Sequence, residues 1–388
     1  MKKILLTILT ATISTFTLHA QTPKYSSLTV SQLLELSSNG DACATDAIGD
    51  CYALGNGGVK IDKDVAYTYY KKSIPGLEQM VLEGNAEAMN RLAGNIMNKD
   101  VYGREDPARA FSLYSKAAEM GHAAAQNNLG TFYQFGYYTG VDYGKAFIWY
   151  LKSAEQDYAP AMLSLGFMYE SAQGMEKDMD KAIEWYEKAA EKGNNTAIGN
   201  LAYIYWYGKD GVVEDKTKAR HYYQLLADKG DAEALNYVGY CYYEGIAGVE
   251  QNDSIALTYY IKSANAGDAL GQYNIGHSYQ YGRGTKIDYT KAFTWYEKSA
   301  MQNSPYGQTA LGNCYRSGIG VTKNAYQASV WYQKAADQDH ADAINKLGEL
   351  YRDGNGVFRN VNKAAELFRR AERLGDENAR RNLESLGK

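Results

Sequence analysis

The chain is written in one period, and that period limits the fold before any other property does. Its clearest copy is residues 161–193, AMLSLGFMYESAQGMEKDMDKAIEWYEKAAEKG. Ala161, Leu165 and Tyr169 recur every four residues and so share one helical face. Gly166 removes a side chain beside Leu165, where a second backbone can come close. After a loop around Gly174 and Met175, Asp178 precedes a second apolar period of Ala182, Trp185, Tyr186 and Ala189. Aspartate is a preferred N-cap because its carboxylate accepts amide hydrogens of the first turn. Gly193 supplies the left-handed residue that ends the second helix. Neither helix alone can bury its apolar stripe, so the unit needs neighbours.

The neighbours are present. The Leu-Gly site returns as Ile48-Gly49, Leu92-Ala93, Leu129-Gly130, Leu201-Ala202, Val238-Gly239, Ile275-Gly276, Leu311-Gly312 and Leu347-Gly348, at intervals of 36 or 37 residues after a first step of 44. An aromatic pair tracks it, as in Tyr69-Tyr70, Trp149-Tyr150 and Trp295-Tyr296, and weakens to Leu113-Tyr114 and Leu367-Phe368. The second-helix caps run from Asp62 to Asn360, each Asp or Asn four residues before an alanine. The position that ends each second helix is Gly, Asp or Asn throughout, all tolerant of positive φ. A fixed period of this size with matching caps predicts an all-α, right-handed α-solenoid of about nine helix–loop–helix repeats over residues 41–376.

The pattern Ala…Leu-Gly…Tyr…Gly-x-Gly-Val…Asp…Lys-Ala…Trp-Tyr…Lys-Ala-Ala…Gly resembles the Sel-1-like repeat family, relatives of the tetratricopeptide repeats. Residues 295–300, WYEKSA, and 318–321, GIGV, are close matches. The resemblance implies a scaffold for protein–protein interaction and leaves the partner open.

Residues 1–20 read as a secretory signal. Lys2 and Lys3 form a basic start, residues 4–18 are apolar, and Ala20 is a small residue before a cut at Gln21. The apolar run is short and broken by hydroxyls, so a spanning anchor is not expected. The expectation is an exported protein, periplasmic or secreted, without membrane insertion; the Met-Lys-Lys start and the repeat family read as bacterial. The net charge of −4 becomes −6 once Lys2 and Lys3 leave, which argues against nucleic acid as a partner. Residues 21–40 predict an N-terminal capping helix, with a capping box at Thr29 and Gln32 and a staple of Leu28 on Leu33. The long first step puts extra residues at 74–82, where Pro75 and Gly76 should break or bend the second helix, with a further turn or two after them, as an insertion on the loop side. Residues 377–388 predict a C-terminal cap with a basic end.

No cofactor, metal or catalytic residue is expected. Cys51, Cys241 and Cys314 share one register position, held elsewhere by Asn95, Phe132, Met168, Ile204, Ser278 and Leu350, a mostly apolar set, so they read as core residues rather than bridge partners. Cys43 lies eight residues from Cys51 on one helix, too far for a disulfide. No histidine pair has ligand spacing. Cysteine-rich relatives are associated with β-lactam binding or hydrolysis, but the one Ser-x-x-Lys match here, at 385–388, is the end of the chain.

What remains is a second face on the first helices. At about 100° per residue, Asn200, Tyr203 and Tyr207 cluster away from the stripe of Ala197, Leu201 and Ile204, with Trp206 beside them. Equivalent positions hold Asn128 and Phe135 in repeat three, Phe167 in repeat four, Tyr237 and Tyr240 in repeat six, and Asn274, His277 and Tyr281 in repeat seven. The resemblance implies that first helices line a concave side, so these residues are the expected binding face. Aromatic rings give contact area at low entropy cost, and amides pair with an extended backbone. The expected ligand is a protein or peptide. A glycan is the alternative, because the same residue types suit sugar stacking.

Overall fold

The computed structural model describes residues 23–387. The signal expectation for residues 1–20, and Lys388 of the Ser-x-x-Lys match, lie outside them. Among the described residues there are 22 α-helices, one short 3-10 turn and no strand. The chain divides into two compact units, Met1–Ile198 and Gly199–Lys388, with the boundary inside helix Asn195–Tyr207.

The first unit opens with helices Pro23–Ser26 and Val30–Ser38. Four helix pairs follow: Ala42–Leu54 with Lys63–Leu82, Ala86–Ile96 with Pro107–Glu119, Ala123–Phe135 with Tyr143–Ala154, and Ala159–Glu170 with Met179–Glu191. In the second unit the first helix of repeat five meets Lys216–Ala227. The pairs after it are Ala232–Glu244 with Asp253–Asn265, Ala269–Tyr281 with Tyr289–Met301, Pro305–Ser317 with Ala325–Ala336, and Ala341–Asp353 with Val361–Arg373. Helix Glu377–Glu384 closes it.

Every second helix starts as the sequence dictates. The Asp or Asn cap accepts the amide three residues on, from Asp62 on Val65 to Asn360 on Lys363, and each such bond is worth about 1 kcal/mol. The alanine four residues after the cap is buried in all nine repeats, because the first helix crosses there. The terminating residues all take positive φ, including Asp157 at 62°, Asn303 at 62° and Asp339 at 57°.

The Leu-Gly site has a sharper cause than backbone approach. A Cβ on Gly166 would lie 2.6 Å from the Tyr186 ring, and one on Gly276 or Gly312 would lie 2.6 Å from Tyr296 or Tyr332. Where the site holds glycine, the second aromatic of the pair fills the space it leaves, and that ring is buried. Its hydroxyl needs an acceptor there. Tyr150 donates to Gln134 (2.6 Å), Tyr186 to Glu170 (2.6 Å) and Tyr296 to Gln280 (2.8 Å), each sixteen residues back, while Tyr332 donates to Asn313 (2.7 Å) and Tyr70 to Asp50 (3.0 Å). The loop glycines lock successive repeats: a Cβ on Gly284, Gly320 or Gly356 would strike the backbone of Asp253, Tyr289 or Ala325, the first residue of the preceding second helix.

The N-terminal helix carries both bonds of the Thr29–Gln32 capping box, and Leu33 is buried against repeat one with Leu28 packed on the same core. The long first step differs from expectation. Lys63–Leu82 is one helix of 20 residues against 13 for Met179–Glu191, so the extra seven form about two further turns as expected, but without a break before them. Pro75 removes one amide donor without ending the helix. Tertiary packing holds the extension: Leu77 is fully buried, and a Cβ on Gly76 would sit 2.6 Å from the Ala42 methyl.

Candidate binding face

The sequence-selected residues divide between the two units. In the first unit Asn128 is buried and donates to Asn90 Oδ1 (3.0 Å), Phe135 is exposed with its ring 5.9 Å from Tyr137, and Phe167 is half-buried.

In the second unit the face is mostly rings. Tyr203 and Tyr207, one turn apart, have ring centroids 4.7 Å apart. The Tyr207 hydroxyl reaches that of Tyr237 at 3.3 Å, and Tyr237 stacks on Tyr223 at 4.3 Å. His277 and Tyr281 repeat the one-turn pairing at 4.5 Å. Tyr240 is 39 % exposed and Tyr281 57 %. Asn274 Nδ2 donates to Asn236 Oδ1 at 2.7 Å. Burial, reinforced by the Tyr207 hydroxyl, raises the Tyr237 pKa, so the phenol stays protonated and able to donate. Burial, and then Arg283, lowers the His277 pKa, which keeps the ring neutral near pH 7.

Three of the selected residues are not on an open surface. Asn128 and Asn200 are buried, and Asn128 bonds to Asn90 of the repeat before it. Trp206 is 7 % exposed and packs on Tyr223, Tyr237 and Tyr240 at 5.9, 5.4 and 6.3 Å. It holds the register of Gln134, Glu170 and Gln280, which points at the second-helix tyrosine, so it belongs to the packing.

The structure adds Tyr273, Tyr306 and His340. Tyr273 lies 6.3 Å from His277 and 5.9 Å from Tyr306, and Tyr306 meets His340 edge-on at 5.0 Å. Tyr306 sits in the first turn of its helix, at the register of Glu233 and Asp342, outside the mid-helix window that the angular argument used. Tyr273 precedes Asn274 at a register otherwise held by Asn127, Asn236 or Asn345, and nothing in its spacing marks it.

The four cysteines are free and buried; burial pushes the Cys43 and Cys314 thiols up to about 12 and Cys241 to about 11. Among the described residues no group of three His, Cys, Asp or Glu could hold a metal, and no helix is long and apolar enough to cross a membrane.

Helix pairs locked by cap, glycine and buried tyrosine, with an aromatic first-helix face, define a helical repeat scaffold, a fold typical of protein–protein interaction. The Sel1 repeat profile matches nine segments, 44–74, 86–122, 123–158, 159–194, 196–231, 232–268, 269–304, 305–340 and 341–376. The chain belongs to the Sel1 repeat family. It is similar to c5321, a protective antigen of uropathogenic Escherichia coli with an SLR fold, at 28% identity over 92% of this chain and 82% of that one, TM-score 0.60. It is also similar to a Sel1 repeat protein of Oxalobacter formigenes, at 26% identity over 92% and 89% of the two chains, TM-score 0.61. The comparison with curated proteins finds no match.

Proposed function

We propose that this chain is an exported scaffold that binds an extended peptide segment of a partner protein along the first helices of repeats five to seven. The observation that carries the reading is the run of rings on these helices, Tyr240 and Tyr281 exposed and Tyr203, Tyr207 and His277 half-buried. Rigid rings bury area at small entropy cost, and phenol hydroxyls can satisfy a peptide backbone. A glycan is the second reading, favoured by the exposed rings of Tyr240 and Tyr281, which offer sugar-stacking surfaces. Titration of the mature chain with a synthetic peptide library and with an array of envelope glycans separates the two. Peptide binding lost in Tyr281→Ala supports the scaffold reading, and glycan binding alone sinks it. Export rests on the basic start at Lys2 and Lys3 and the apolar run at 4–18. N-terminal sequencing of the native protein should begin near Gln21, and a cytosolic form beginning at Met1 contradicts it.

A further inference from the structure

We propose that Asn355, in the loop of repeat nine, is a site of spontaneous covalent modification: its side chain cyclises onto the Gly356 amide and opens to isoaspartate, which loosens the last repeat from the one before it. Asparagine is a labile residue, and most so before glycine, where no side chain hinders ring closure. The dipeptide occurs at Asn39-Gly40, Asn56-Gly57 and Asn355-Gly356. The reaction needs only water and leaves every oxidation state unchanged. The Gly356 nitrogen gives up its proton and attacks Cγ of Asn355, the Cγ–Nδ2 bond breaks, and ammonia leaves. Water then opens the succinimide at either carbonyl. Opening at one restores the backbone as aspartate. Opening at the other leaves isoaspartate, whose main chain runs through Cβ and Cγ and is one methylene longer.

The fold separates the three sites. Ring closure needs an amide side chain in contact with water and a following N–H that is free to turn toward it. At Asn39 the Gly40 N–H is engaged, donating to Ser37 O at 3.1 Å. At Asn56 the side-chain oxygen is buried. Gly57 is also pinned: its carbonyl accepts from Val30 N (3.3 Å), and a Cβ on it would lie 2.9 Å from Cys51 Sγ. Asn355 and Gly356 are both exposed, and among the described residues neither the Asn355 side chain nor the Gly356 N–H makes a hydrogen bond. The backbone bond here is one residue earlier, from Asn355 N to Leu350 O (3.1 Å).

The modified bond sits in a lock between repeats. Gly356 has φ +74°, and it lies so close to the start of helix Ala325–Ala336 that an added Cβ would be 2.2 Å from the Ala325 carbonyl carbon. An extra methylene in the main chain one residue before shifts Gly356 out of that contact. Repeat nine has a full repeat on one side only, with the short helix Glu377–Glu384 on the other, so it depends on this lock more than an internal repeat does.

The test is to age the purified mature chain, folded, at mildly alkaline pH and map it by mass spectrometry, with isoaspartyl methyltransferase labelling to locate isoaspartate. A parallel sample is unfolded in denaturant, where all three dipeptides should convert at similar rates. In the folded chain Asn355 should convert first, with Asn39 and Asn56 at least about tenfold slower, as for sites that react only after local opening. Asn355→Gln should remove the reaction at this position. Hydrogen exchange should be faster in helix Val361–Arg373 of the aged chain than of the fresh one. Asn355→Asp, which adds the charge without the methylene, should exchange as the fresh chain does. Conversion of Asn39 or Asn56 ahead of Asn355, or an Asn355 that reacts only in denaturant, overturns the site. Exchange that is unchanged in the aged chain, or equally fast in Asn355→Asp, overturns the unlocking.

Discussion

Repeats one and two, in the first unit, and repeats six and seven, in the second, solve one packing problem with different chemistry. In repeat two, Arg91 is 5 % exposed and reaches back to Asp46 of repeat one at 3.0 Å. It also bonds Asp50 (3.0 Å) and Glu87, and Ser73 and Asn95 donate to Asp46 at 2.7 and 2.6 Å. In repeat seven the same register position is Asn274, and it reaches back to Asn236 of repeat six. Asn128 on Asn90 and Asn382 on Asn345 (2.9 Å) are two more rungs of this kind. The rung position is therefore a fixed polar link between successive repeats, and the residue in it is free to vary. Beside the rung the regions part. The first has carboxylates around a guanidinium and is internally compensated. The second has a run of tyrosines around the rung, half-buried at Tyr237 and exposed at Tyr240 and Tyr281. One region uses buried charge to hold its repeats together, and the other presents rings.

The comparison breaks most visibly at Arg91. Burial opposes its charge, but Asp50, Glu87 and Asp46 outweigh burial and hold the guanidinium protonated. Arg91→Met leaves three carboxylates facing one another, and chemical denaturation should show a loss of about 3–5 kcal/mol. A loss below about 1 kcal/mol would mean that the charges were never tightly coupled. Trp206→Ala probes the second region from below its surface and should cost a similar or slightly smaller amount, about 3–5 kcal/mol, because the ring is buried on three tyrosines. Asn274→Ala removes one rung and leaves Asn236 without its donor, so a loss of about 1–3 kcal/mol is expected in the same assay.

A smaller effect separates the regions by pH. His277 and His340 both have pKa values lowered by burial, so the folded second unit binds these protons less readily than the unfolded chain. The stability they support is complete above the ordinary histidine pKa of about 6.5 and declines as pH falls below it. Hydrogen exchange should show repeats seven to nine losing protection between about pH 7 and pH 5, and His277→Gln should flatten that slope. An unchanged slope in the variant would remove His277 from the account.

The repeat skeleton was legible because each of its parts is local. An Asp or Asn four residues before an alanine, and a Gly, Asp or Asn at a helix end, act through their own backbone, and all nine caps and terminators behave as read. Two things were not legible. Pro75 reads as a breaker by local rules, yet burial of Leu77 and the contact of Gly76 with Ala42 carry the helix past it. Trp206 lies close to Tyr203 and Tyr207 on a helical wheel, but only the partner helix shows that its register faces Tyr223. The same holds for Asn128: angle alone cannot distinguish a residue facing solvent from one facing the preceding repeat.

The central claim is that the accessible rings of the second unit bind while the ring beneath them packs. Tyr240→Ala, Tyr281→Ala and Trp206→Ala, each taken through thermal unfolding and peptide titration, test it most directly. The two tyrosine variants should unfold within about 0.5 kcal/mol of the wild type and lose roughly 2 kcal/mol of binding at a hot spot. Trp206→Ala should unfold far earlier. Tyrosine variants that unfold as early as Trp206→Ala, or that bind as the wild type does, contradict the claim.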